Sequence, residues 1–532
     1  MRRIVLPYTD TVRPSTLVAD LLEDAPALHP FRQFGFHAAG LQEALAARAF
    51  PAAHRMALAD ALRRQYGALD RPQAVQDNLD RLARSGTLTV TTGHQLCLFG
   101  GPLFVLLKVL NAVRLARDLS TEARPVVPVF WMATEDHDLA EVDHVLLRGQ
   151  RVQWAAQAGG PVGRMPLTGI ATALQQAEQL LGPQADSVRR LLRQAYAPHH
   201  TLAGATRILM NGLFGHLGLV VLDGDDPVLK ALFAPVMREE LLHGLMARTV
   251  AYAEDRFPEG YHAQAHARPI NLFHLGQGSR ARIAPDGDGL QVLEGGPRWT
   301  MDEALHELET RPEDFSPNVL MRPLYQETVL PNVAYVGGGG ELAYWMQLRW
   351  AFQAVQLPMP VTVLRSSAVF LPEGDAERLA AMDLALEDLF ADRHAVERRL
   401  AERDAPFPTR LQGEREALGT VFRALALRTA AAGPTFVRSA ASAEQRAQHG
   451  LERLEQRLLR EARHRSAVLL RRYGALREAV LPGGVLAERR EGFLVPLADH
   501  GTSLTDRMTD VLDPLEKKFS VFLAPPRSAQ EA

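Results

Sequence analysis

One cysteine, Cys97, stands in a chain of 532 residues. A single thiol closes no internal disulfide and builds no cysteine-based zinc cluster, and it fits a reducing, cytoplasmic compartment. Lysine is nearly as scarce. Only Lys108, Lys230, Lys517 and Lys518 occur, so arginine supplies the rest of the 59 basic residues. That bias reads as genomic composition, and an arginine-rich patch is weak evidence of function. The 62 acids bring the net charge to −3, which leaves no global basic field for nucleic acid. Long apolar runs are also missing. The most apolar helix-like stretch, Leu103 to Leu110, is interrupted by Lys108 and falls short of the ~20 residues of a membrane span. Ile4-Val5-Leu6, stopped by Pro7, is too short for a signal-peptide core.

What is present is an ordinary globular balance, 47% hydrophobic and 23% charged, which excludes a disordered chain, a collagen and a disulfide-stapled mini-protein. At ~150 residues per domain the length suits three or four domains' worth of chain. The first 85 or so residues read as helices. Leu41, Leu45, Arg48 and Ala49 share one helical face, and Ala57, Ala61 and Arg64 continue the spacing after Pro51. The β-branched run Thr87–Thr92 predicts a strand, Gly100-Gly101-Pro102 a loop, and Leu103 to about Leu119 a helix. Val126–Met132 predicts the next strand. This strand, loop, helix, strand rhythm is that of a parallel α/β sheet, which binds ligands at the carboxyl ends of its strands. Leu219–Leu222, Ile270–Phe273, Val333–Val336 and Val361–Leu364 are further strand candidates. Residues 145–215 suit an excursion from the sheet, and 281–315 a small β/turn module with its turn at Pro285–Gly289.

From about 374 to 480 the sequence is rich in Ala, Glu, Arg and Leu. Leu379, Met382, Leu386, Leu389, Arg393, Val396 and Leu400 keep heptad spacing, which predicts one helix ended by Pro406 and Pro408. A second helix carries Leu411, Leu418, Val421 and Leu425. A third runs from Leu451 to Leu476 after Gly433-Pro434. The expected organisation is a core over 1–373, a helical hairpin or coiled coil over 374–480, and a segment over 481–532 that packs back on the core.

Four places carry candidate chemistry. Gly93-His94-Gln95 with Gly100 and Gly101 joins a strand end to a helix start, where backbone N–H groups can receive a phosphate or carboxylate and His94 can donate to an anion. The same residues also suit a tight turn whose histidine satisfies local backbone. Glu135-Asp136-His137-Asp138, followed by Glu141, Asp143 and His144, suits an amine, a hydroxylated substrate, general acid–base work or a metal. It equally suits an acidic helix start. Asn318 and Arg322 lie in the proline-stiffened run 315–323, placed for recognition. Gly337–Gly340 allow close backbone approach to a ligand, with Glu341 and Tyr344 a turn apart. Cys97 reads as a small buried hydrophobe more readily than as a nucleophile.

These segments, in this order, resemble the BshC family of bacillithiol biosynthesis: Thr-Gly-His-Gln with Leu-Phe-Gly-Gly-Pro-Leu at 92–103, Phe-Trp-Met-Ala-Thr-Glu-Asp-His-Asp at 130–138, Phe-Ser-Pro-Asn-Val-Leu-Met-Arg-Pro at 315–323, Gly-Gly-Gly-Gly-Glu-Leu-Ala-Tyr-Trp at 337–345 and Leu-Ala-Glu-Arg-Arg at 486–490. The resemblance implies a Rossmann-like core with connecting-peptide insertions, a coiled-coil domain and a homodimer. It implies a ligase that adds L-cysteine to glucosaminyl-malate to give bacillithiol, with a core similar to class I aminoacyl-tRNA synthetases. His94 then falls where such enzymes contact phosphate. Family members commonly carry Gln at His94, which favours hydrogen bonding over proton transfer there. The lysine-rich signature loop of class I synthetases is missing. ATP or a related adenine nucleotide is still expected on chemical grounds, because a carboxylate acylates an amine only when its oxygen becomes a leaving group.

The resulting expectation places His94, Asp136 and His137 in catalysis. Gln95, Glu135, Asp138, Asn318, Arg322, Glu341 and Tyr344 bind substrate, and Gly93, Gly100 and Gly101 bind nucleotide. No metal, nucleic acid or membrane partner is assigned. The alternatives are a metal-dependent hydrolase built on Asp136, His137, Asp138 and His144, and a non-enzymatic coiled-coil scaffold.

Overall fold

The computed structural model describes residues 1–157 and 159–524. These fall into two compact units, one built on Ile4–Phe370 with Ala487–Val521 and one built on Leu371–Leu486. Residues 525–532, the end of the expected C-terminal segment, lie outside the described residues. Among the described residues no helix is long and apolar enough to cross a membrane.

The larger unit is organised by a five-stranded sheet. Its strands are Leu88–His94 (β1), Val126–Met132 (β2), Val220–Asp223 (β3), Asn332–Gly337 (β4) and Val361–Leu364 (β5). The spatial order is β5–β4–β1–β2–β3, and every neighbouring pair is parallel. Both faces are covered, which is why the strands read as continuous apolar or β-branched runs rather than as alternating ones. The helix Leu103–Leu119 (α1) joins β1 to β2 as the Pro102 start predicts. The chain grows from β1 toward β3 on one side, then returns to place β4 on the other side of β1. That reversal opens a crevice between the carboxyl ends of β1 and β4. A short helix, Gly339–Trp345 (α2), leaves β4 at this crevice.

Between β2 and β3 the chain forms a hairpin, His144–Leu147 with Gln150–Gln153, and the helices Ile170–Leu181, Asp186–Ala195 and Leu202–Phe214. Between β3 and β4 lies a second, antiparallel sheet of Arg298–Thr300, Gly289–Val292, Ser279–Asp286, Leu272–Gly276 and Phe315–Pro317, in that order. The strand expected at Ile270–Phe273 therefore belongs to this module and not to the parallel sheet. Its apolar start resembles a core strand, but from His274 onward one face is only half buried.

Two further expectations change. The N-terminal region opens with a strand, Arg2–Pro7, before its helices begin. Its hydrogen-bonding neighbour is Lys518–Ala524, a partner some five hundred residues away that local pattern cannot reveal. The heptad run Leu379–Leu400 is not one helix. Glu373–Ala380 ends, Asp383 adopts φ +56°, and a new helix starts at Arg393. Asp388 accepts the Ala385 N–H at 2.8 Å and Asp392 accepts the Ala395 N–H at 2.8 Å, so capping aspartates stop and restart the chain. Leu379, Leu389, Val396 and Leu400 are buried all the same.

The second and third helices appear as Gln412–Thr429 and Pro434–Arg465, with Ala467–Val480 set off by non-helical Ser466. Arg415 reaches Glu452 at 3.1 Å and Glu455 at 3.5 Å across the hairpin, which fixes its antiparallel register.

Candidate functional site

At the crevice, a lysine from α1 ties the two glycine-rich strand ends together. Lys108 donates to the Gly93 carbonyl at 3.0 Å and pairs with the Glu341 carboxylate of α2. Glu341 also accepts the Gly338 N–H at 2.9 Å and the Tyr335 hydroxyl. Burial alone would raise this carboxyl, but Lys108 and these donors overcome it and hold the group at about 2. Gly93 is tightly packed, since a Cβ there would stand 3.0 Å from the Trp131 carbonyl oxygen. Lys108 is itself buried, and sequence reading treated it only as a break in an apolar run. A lone lysine on an otherwise apolar helix was the available signal.

These groups open onto a cavity of about 810 Å³. Gly338–Gly340 contribute backbone alone to its lining, to which His94 and Phe104 also belong. The lining carries both signs of charge: Arg268, Arg280 and Arg489 among the cations, Glu135 and Asp136 among the acids, with Arg280 close enough to both acids to feel their charge. Arg322 reaches the Tyr344 hydroxyl at 3.1 Å and Gln326 at 3.1 Å, with Tyr335 at 3.5 Å. Arg365 lies 5.1 Å from the centre of the Phe104 ring, and buried Glu488 pairs with it at 2.7 Å.

His94 sits edge-on to Phe104, ring centres 5.0 Å apart. Burial, helped by Lys108, pushes its imidazole down to about 3, so it is neutral near pH 7. A neutral ring suits hydrogen bonding and not proton donation from an imidazolium. Cys97 lies 3.6 Å from His94 Nε2, yet burial, with Glu141 and Asp136 adding to it, pushes the thiol up to about 12. A protonated thiol is no nucleophile.

The acidic run after β2 is divided by the fold. Gln95 donates to Asp136 at 2.8 Å and also to Glu141, which fixes Asp136 at the cavity wall. Glu135 turns inward to Lys230 at 2.7 Å, which Asp225 shares at 3.0 Å. Burial raises the Glu135 carboxyl against the pull of Lys230. His137 stands outside the cavity lining, its Nδ1 3.1 Å from Arg280 and its ring 5.6 Å from that of Phe273, both of which do line it. Asp138 points away and caps the Leu139–Val142 turn by accepting the Glu141 N–H. His144 is bound to Asp143 at 2.9 Å. His137 Nδ1 lies 3.7 Å from Asp136, but among the described residues Asp136, His137, Asp138 and His144 do not come together as a group of metal ligands.

Gly93, His94, Gln95, Glu135, Asp136, Asn318, Arg322, Glu341 and Tyr344 all line the cavity. Asn318 is committed there to structure: its oxygen accepts the Leu320 and Met321 N–H groups, and its nitrogen donates to Asn271 at 2.8 Å. Gly100 and Gly101 do not line it. Their φ values of +89° and +82° make the turn, and a Cβ on Gly100 would stand 2.3 Å from the Phe493 ring. At Gly100 and Gly101 the loop faces Phe493 and Cys97 rather than the crevice, so of the three glycines expected to cradle a phosphate Gly93 alone lines the cavity.

Comparison with known proteins accords with this geometry. Residues 1–366 match the family model described as "Bacillithiol biosynthesis BshC, N-terminal Rossmann-like domain", and residues 368–524 match "Bacillithiol biosynthesis BshC, C-terminal coiled-coil domain". Proteins named "Putative cysteine ligase BshC" are similar over most of their length. That of Flavobacterium johnsoniae is 36% identical, covering 88% of this chain and 89% of its own. That of Christiangramia forsetii is 32% identical over 97% and 98%. That of Cytophaga hutchinsonii is 33% identical over 95% and 96%.

Proposed function

The chain belongs to the BshC family of bacillithiol biosynthesis, and from that premise we propose that it joins L-cysteine through an amide bond to glucosaminyl-malate, as the last step toward bacillithiol. The observation that carries this reading is the mixed charge of the crevice cavity's lining. Arg268, Arg280 and Arg489 suit the two carboxylates of a malyl group, while Asp136 suits an ammonium group of the amino sugar or the amino acid, with Glu135, held by Lys230, behind it.

Cysteine's carboxylate needs a leaving group, which ATP or a related adenine nucleotide supplies when bound. What supports a place for such a group is Gly340, where a Cβ would meet nothing within 4 Å, with His94 and Lys108 in the same cavity lining. His94 would donate one N–H to a phosphate oxygen. Asp136, oriented by Gln95, would take the proton that the sugar's amine loses as it attacks, and His137, whose Nδ1 lies 3.7 Å from the Asp136 carboxylate, would act on it from the rim.

Dimerisation of the helical hairpin belongs to the same reading. Val421, Leu427 and Phe436 are exposed apolar residues on its two helices, 63%, 79% and 55% accessible, and a second copy would cover them. The reaction is placed in the cytoplasm, where a single buried thiol stays reduced.

Incubation of the protein with cysteine, glucosaminyl-malate and ATP, followed by mass spectrometry, tests the assignment. The expected product carries the mass of both substrates less one water. No such thiol, with or without nucleotide, would overturn it.

A further inference from the structure

A second cavity, of about 610 Å³, opens in the antiparallel module and is walled in part by His274, Trp299, Glu307, Arg311 and Asp314. His274 stands on the Leu272–Gly276 strand, Glu307 on the Met301–Thr310 helix and Asp314 in the turn Pro312–Asp314. One ligand atom from each of His274, Glu307 and Asp314 lies within 4.8 Å of the others. Three separate elements thus aim an imidazole and two carboxylates at one point. The His274 ring is held edge-on by Trp299 and Phe315, at 5.2 and 6.1 Å between centres. Among the described residues no side-chain hydrogen bond engages the imidazole.

One nitrogen and two oxygens form a donor set for a borderline divalent ion, and three protein ligands leave a further position for water or a small anion. Arg311 balances the charge at present. It lies 3.7 Å from Glu307 and pairs closely with Asp314, but its side chain is largely exposed and free to swing into solvent. We propose that His274, Glu307 and Asp314 form a binding site for a zinc-class divalent metal, with Arg311 as the cation that the metal displaces. None of these residues belongs to the ligase reading above, and the proposal stands or falls without it.

The test uses the full chain without an affinity tag, stripped with chelator and dialysed against zinc chloride. Metal is counted by mass spectrometry and affinity is measured by calorimetry. One zinc per chain is expected. His274→Ala and Glu307→Gln should each weaken binding by more than ~10-fold, and Arg311→Gln should tighten it. Cobalt(II) should give the visible absorption of a low-coordinate site in the parent protein and lose it in His274→Ala. Circular dichroism of each variant separates loss of a ligand from loss of the fold, and Glu307→Gln decides the matter if His274→Ala does not fold. Zinc below one per chain, or binding indifferent to both His274→Ala and Glu307→Gln, would overturn the site. Unchanged affinity in Arg311→Gln would overturn the displacement.

Discussion

Lys108 and Glu341 form a buried ion pair that links the helix after the first core strand to the helix after the fourth. Removing one partner leaves the other desolvated and unpaired. Lys108→Met should cost about 3 kcal/mol, the lower end for a buried pair because Glu341 keeps some exposure. The double variant Lys108→Met/Glu341→Gln should recover much of that loss in urea unfolding. Because Glu341 is depressed from 4.5 to about 2, its stabilisation is complete above pH 4.5 and vanishes as the pH falls toward 2. The stability gap between the parent and Glu341→Gln should close across that window. A gap that stays constant would show that the pair is not what holds the carboxyl ionised.

For His94 the sign also follows from burial. Its ring is depressed from 6.5 to about 3, so it adds no pH dependence above 6.5 and disfavours folding as the pH drops from 6.5 toward 3. NMR of the imidazole should show no titration down to pH 4. In product formation, His94→Gln should stay within about tenfold of the parent, and His94→Ala should fall by ~10²–10³, the usual cost of a lost donor to developing charge.

Asp136 and His137 should behave unequally. Asp136→Asn is expected to lower thiol-product formation by ~10²–10⁴ while the protein stays folded. Gln95→Ala should follow it in part, since Gln95 orients Asp136. His137→Ala, outside the cavity lining, should cost less. Equal losses in Asp136→Asn and His137→Ala would put the histidine in direct contact with substrate.

Nucleotide binding is open to direct measurement. At a hundred times its dissociation constant, ATP should stabilise the protein by ~2.7 kcal/mol in thermal unfolding. A Cβ at Gly340 meets nothing within 4 Å, so Gly340→Leu should fold and yet abolish the stabilisation by filling the cavity. Stabilisation that survives Gly340→Leu would move the nucleotide elsewhere.

Sedimentation decides assembly. A dimer at micromolar concentration should become a monomer in Leu427→Glu/Phe436→Glu with little change in melting temperature, since both residues are exposed in one chain. A dimer that survives both substitutions would exclude this surface.

The parallel sheet was largely legible because its strands are buried on both faces and so read as unbroken apolar runs. Val126–Met132 and Val361–Leu364 coincide with the expected bounds. Ile270–Phe273 shows the limit, since the same kind of run served an antiparallel module. Local pattern also gave one helix from Leu379 to Leu400, where capping by Asp388 and Asp392 outweighs hydrophobic spacing. In the cavity, residues carried by glycine-rich or acidic motifs were visible. Lys108, Arg280 and Arg489 were not, because a single cation gains meaning only from the distant carboxylate or carbonyl it faces.

The salt bridge between Arg365 and Glu488 bears on how the protein is made. Both groups are buried, and Glu488 also binds the Ser367 hydroxyl and the Ala368 N–H. On the ribosome, the stretch Leu371–Leu486 must be synthesised between the two halves of this contact, a wait on the order of ten seconds at ~5–20 residues per second. Through that interval the Arg365 guanidinium lacks its paired carboxylate and the cavity wall is unfinished, since Arg489 arrives with Glu488. A nascent chain released before residue 488 would have the five core strands and no closed site, which makes completion of the cavity a late, post-sheet event in the birth of each molecule.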